Sequence, residues 1–124
     1  MTKKRAAGRV DLTYGARDDV KDIMRWTANM FGARTAKRYR ALLNQAIDDI
    51  GNDPERPGSK ARPEAMLAGI RTYHISFSRH RVSGPGVKDP RHFLVYRRRE
   101  EGVIEVVRIL DDIRDLHLHL PSNV

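Results

Sequence analysis

The chain has 124 residues, 40% of them hydrophobic and 32% charged, which is enough apolar material for one domain around one core. It has no cysteine, so disulfides, thiolate metal sites and a cysteine nucleophile are excluded, and no apolar run approaches the ~20 residues of a membrane span. Lys and Arg outnumber Asp and Glu by 24 to 16, and the resulting net charge of +8 favours an acidic partner, whether nucleic acid or protein.

Residues 1–8 are basic but lack the apolar core of a signal peptide; they are expected to form a disordered leader ahead of a single domain over residues 9–121, in a cytoplasmic protein. Residues 9–14 alternate polar and apolar, which suits a short strand, and Thr13 is placed to cap the helix that follows. That helix runs to about Phe31, with Val20, Ile23, Met24, Thr27 and Phe31 on one apolar stripe and Asp18, Asp19 and Asp22 early enough to complement its dipole. Gly32 breaks it. A second helix follows to Ile50, carrying the stripe Ala36, Tyr39, Leu43, Ala46, Ile47 and Ile50, and the turn formers Gly51, Asn52, Asp53 and Pro54 end it.

Residues 52–66 read as loop. Residues 70–77 alternate, with Arg71, Tyr73, Ile75 and Phe77 on one face and Thr72, His74 and Ser76 on the other, as in a half-exposed strand. A polar loop over 79–91 precedes two apolar runs, 92–97 and 103–110, which flank a charged turn ending in Gly102 and predict a β-hairpin. Beyond it, Asp111 and Asp112 are placed to cap a short terminal helix whose Leu116, Leu118 and Leu120 would pack on the body. The order β-α-α-β-β-β plus that C-terminal helix predicts an α+β fold of two layers, a helical hairpin on a small, mostly antiparallel sheet. The sheet face away from the hairpin would then carry Arg and Tyr.

Val10-Asp11-Leu12-Thr13, the helix ending Trp26-Thr27-Ala28-Asn29-Met30-Phe31-Gly32, Ala36-Lys37-Arg38-Tyr39, Asp53-Pro54, Gly69-Ile70-Arg71, His92-Phe93-Leu94-Val95-Tyr96-Arg97 and Val106-Val107-Arg108-Ile109-Leu110 with Arg114-Asp115-Leu116 occur in this order and at these spacings. In this the chain resembles the ParE branch of the ParE/RelE toxins of bacterial type II toxin–antitoxin systems, over about residues 9–121. The resemblance departs at Asp111, where many relatives have a histidine. It implies a toxin that inhibits DNA gyrase by binding it, is silenced by a ParD-like antitoxin and meets operator DNA only through the antitoxin complex. RelE-type relatives instead cut messenger RNA on the ribosome, and a non-toxic interaction partner is a third reading.

Messenger RNA cleavage needs cations around the phosphate and a general base or acid in the same cleft. Arg71 and Tyr73 lie two apart on one strand, and Arg97 and Arg108 lie on its neighbours, so together they could hold a phosphate or another acidic group. A base is missing: His74 points away from Arg71, His80 sits in a loop, His92 lies on an apolar strand, and His117 and His119 diverge on a helix. No catalytic residue, cofactor or metal ligand is therefore assigned. Trp26 and Met30, four apart beside Ile23 and off the main stripe, either pack against the terminal helix or form a docking ridge for an antitoxin helix. The expected contact residues for target or antitoxin are Trp26, Met30, Arg71, Tyr73, Arg97 and Arg108.

Overall fold

The computed structural model describes residues 9–65 and 67–111. The expected leader and terminal helix, with its leucines, lie outside these residues. Within them the order is β1 (Val10–Leu12), α1 (Tyr14–Phe31), α2 (Ala33–Asn52), β2 (Lys60–Ala61), β3 (Arg71–His74), a 3-10 segment (Ile75–Arg81), β4 (His92–Arg98), a 3-10 turn (Glu100–Gly102) and β5 (Ile104–Asp111). The α+β, two-layer reading holds: the α1–α2 hairpin packs on a sheet of five strands in the order β1-β5-β4-β3-β2. Only the β1–β5 pair is parallel. No helix among the described residues is long and apolar enough to cross a membrane.

Thr13 caps α1 as its sequence position implies. Its hydroxyl accepts from the Ala16 amide at 3.1 Å and donates to the Val107 carbonyl at 2.8 Å, tying the helix start to β5. Gly32 ends α1 at φ 94°, a backbone region that favours glycine, and the chain turns directly into α2. The core lies between hairpin and sheet: Ile23, Tyr39, Leu42, Leu43 and Ile50 meet Tyr73, Leu94, Tyr96, Ile104 and Val106. Each aliphatic side chain buried there contributes roughly 1.5–3 kcal/mol.

Several expectations are corrected. The strand over 70–77 stops at His74, whose Nδ1 accepts from the Ser76 amide and turns the chain into the 3-10 segment. The loop over 52–66 contains the short strand β2, and α2 continues through Gly51 to Asn52. Because α1 starts at Tyr14, its three aspartates lie beyond the first turn. Asp19 instead accepts from the Ile109 amide at 2.8 Å, satisfying β5 where β1 has ended. Phe31 is exposed rather than packed. The sheet face away from the hairpin carries an apolar patch of Ile70, Val95 and Leu110, flanked by Leu67 and Val107; of the expected Arg and Tyr side chains Arg97 lies on that face, two residues along from Val95, whereas Arg71 and Tyr73 lie on the hairpin side.

Candidate functional site

The residues expected to contact partners do not form one surface. Tyr73 is fully buried in the core beneath the hairpin, its hydroxyl against Ser78 at 2.8 Å, so it is not available on an open face. The reason is register: Arg71 pairs with Tyr96 and Tyr73 with Leu94, and both partners belong to the hairpin-facing core. Arg71 shares that side, near the strand end beyond α2. Its Nε donates to the Ser59 hydroxyl at 2.7 Å and an Nη to the Ser59 carbonyl at 3.4 Å. Tyr96 joins the same network, donating to the Pro54 carbonyl at 2.5 Å, and burial pushes its phenol above the usual range.

Arg97 faces its cross-strand partner Glu105, with Nε to carboxylate at 3.0 Å. Arg99 bonds the same Glu105 and Asp11, each at 3.2 Å. Arg108 binds Asp19 through two nitrogens at 2.7 and 3.0 Å, and this bond raises the guanidinium above its ordinary value. Arg97 and Arg108 are thus structural ion-pair partners, and neither lies with Arg71 in one cluster.

Trp26, Met30 and Phe31 form an exposed apolar ridge over the last six residues of α1; they are 57%, 59% and 60% exposed, and Trp26 meets Phe31 edge-on at 5.7 Å. Phe31 continues the stripe of the buried Ile23 and Thr27 yet is exposed, so this end of α1 overhangs the core. Exposed apolar side chains are ordinary singly; three together at one helix end suit a docking surface.

At the far end of the sheet from Arg71, the Tyr39 hydroxyl meets His92 Nδ1 at 2.5 Å and accepts from the Arg91 amide at 3.1 Å. Burial pushes Tyr39 up to about 12 and holds the His92 imidazole below its ordinary value. His74 engages the Ser76 hydroxyl at 2.7 Å. Among the described residues no group of three or more His, Asp or Glu could hold a metal ion.

Residues 10–116 match the family model described as the ParE toxin of the type II toxin-antitoxin system, parDE. The chain belongs to the ParE toxin family. A solved structure titled as the chromosomal ParDE TA system from P. aeruginosa is similar in fold, with a TM-score of 0.60 at 14% identity over 84% of this chain and 95% of that one. No curated protein sequence matches the chain.

Within this ParE fold, one group was not singled out by reading the sequence. Asp49, 2% exposed, accepts from Ser78 at 2.6 Å, Arg81 at 3.0 Å and Gln45 at 2.9 Å, with Arg56 at 3.9 Å. It joins α2 to the 3-10 segment and, through Arg56, to the loop that leads to Ser59. The signal was present: Asp49 falls at helical spacing after Leu42 and Ala46, on the stripe that packs inward.

Proposed function

We propose that this ParE-family protein is a toxin that inhibits DNA gyrase by binding it, performs no chemistry of its own, acts in the cytoplasm and is silenced by a ParD-like antitoxin. One observation favours binding over messenger RNA cleavage. Arg71, the candidate phosphate holder, sits opposite Tyr96, while His92, the described imidazole on the same side of the sheet, lies four residues along β4. At ~3.3 Å per residue, that is ~13 Å, far beyond proton-transfer reach. His92 is also engaged by Tyr39. Arg71 and His92 therefore stand apart.

The antitoxin's docking surface in this reading is the Trp26, Met30 and Phe31 ridge. An acidic, disordered antitoxin segment would fold onto it, complementing the +8 charge of the toxin. Operator DNA would be reached only through that complex. Inducing the chain alone in cells and following plasmid topology beside transcript integrity tests the reading. Relaxed plasmids with intact transcripts are expected. Cuts within translated messages, with topology unchanged, would assign the RelE-type activity instead, and no effect on either would leave a non-toxic interaction protein.

A further inference from the structure

We propose that the cleft between the loop over residues 54–63 and the adjoining ends of β3 and β4 is a receptor for an acidic, partly apolar peptide segment of a protein partner, holding one carboxylate between Arg71 and Arg98. The cleft has a volume of about 460 Å³ and includes Pro54, Ile70, Arg71, Tyr96 and Arg98 in its lining. Three guanidiniums, from Arg62, Arg71 and Arg98, line it with one carboxylate, that of the exposed Glu55.

The three guanidiniums are not equivalent. Arg62 is committed elsewhere, its Nε donating to Thr72 at 2.9 Å and an Nη lying 3.7 Å from Glu64. Arg71 is oriented but not neutralised: it bonds the hydroxyl and carbonyl of Ser59 and the Tyr96 hydroxyl, and Ser59 is itself fixed by Tyr96 and Pro54. Arg98 follows Tyr96 by two positions and so lies on the same side of β4. It makes no hydrogen bond or ion pair among the described residues, whereas its neighbours Arg97 and Arg99 both do. A guanidinium held in place with N–H groups to spare suits a planar carboxylate, because little ordering remains to be done on binding.

The surroundings favour a peptide over a nucleic-acid strand. A strand needs a track of uncompensated cations. Here the neighbouring Arg9, Arg97 and Arg99 share the carboxylates of Asp11 and Glu105, which cancel most of their charge and leave Arg71 and Arg98 as the uncompensated guanidiniums of the cleft rather than part of a row. The cleft wall is otherwise largely apolar, with Pro54, Ala61, Pro63 and Ile70, which fits an aliphatic side chain beside the carboxylate. This inference does not rest on gyrase inhibition, since binding is measured on the isolated toxin.

The test is arginine side-chain and backbone amide NMR of the full chain at about 150 mM salt. The probes are a short capped peptide of alternating Leu and Glu, a capped Ser and Glu peptide of equal charge, and a short oligothymidylate. The Leu–Glu peptide should shift the Arg71 and Arg98 Nε–H signals and the Gly69 and Ile70 amides. Its affinity should fall about tenfold or more in Arg98→Gln and in Arg71→Lys. Unchanged spectra elsewhere would show both variants folded. Equal binding of the Ser–Glu peptide, tighter binding of the oligothymidylate, unaltered affinity in Arg98→Gln, or no shift with any probe would each overturn the proposal.

Discussion

Replacing Asp49 by Ala is the most demanding test of how this fold is held. The carboxylate is 2% exposed and accepts from Ser78, Arg81 and Gln45. Removing a buried charge from its partners costs ~3–5 kcal/mol, because the partners remain desolvated without an acceptor. A domain of this size is stable by only ~5–15 kcal/mol, so Asp49→Ala should remove a large part of the total. The contributions are unequal. Arg81 is about half exposed, so its share is screened and should be ~1 kcal/mol or less. Ser78 is fully buried, so a double-mutant cycle with Ser78→Ala should show the larger coupling. Urea unfolding followed by circular dichroism measures all of these. A loss below about 1 kcal/mol in Asp49→Ala, or equal coupling to Arg81 and Ser78, would refute the reasoning.

Trp26→Ala should weaken antitoxin binding by ~2 kcal/mol or more while changing stability by less than ~0.5 kcal/mol, read by calorimetry and urea melts; unchanged affinity in the folded variant would remove the ridge from the interface. Gly32→Ala should destabilise by ~1–2 kcal/mol through backbone strain alone, since φ is 94° and nothing lies within 4 Å of an added Cβ. The His92 imidazole is held below its ordinary 6.5, so the fold prefers the neutral ring. Its contribution should be complete above pH 6.5 and be lost as pH falls through the lowered folded value. His92→Gln should flatten that acid limb in stability-versus-pH curves, and an equally steep limb in the variant would count against it.

The two helices, their Gly32 junction, the Thr13 cap and the β4–β5 hairpin were legible because each rests on local chemistry: periodicity, a cap hydroxyl, a positive φ. The misreading of residues 70–77 came from the same kind of signal. Ile75 and Phe77 continue the alternation of Arg71 and Tyr73, but the side chain of His74 competes for the Ser76 amide and bends the chain. Which face is buried was not local information. Tyr73 goes under the hairpin because β3 pairs with β4 in that register, and the far face is apolar because Val95 and Leu110 meet Ile70 there. The ion pairs that occupy Arg97 and Arg108 are also tertiary: Glu105 comes from the paired strand, and Asp19 lies 89 positions from Arg108 in sequence. Phe31 shows the remaining gap. Its stripe position suggests burial, yet it is 60% exposed, because periodicity gives the angle of a side chain around a helix and not how far the sheet beneath extends.

The central claim is that this ParE-family chain works by binding gyrase. Its most direct test is titration of purified toxin into a gyrase supercoiling reaction, with a ParD-like antitoxin that binds the toxin added in a second series. Dose-dependent loss of supercoiling, relieved by the antitoxin, is the predicted result. Full supercoiling activity at a large molar excess of folded toxin would contradict the account.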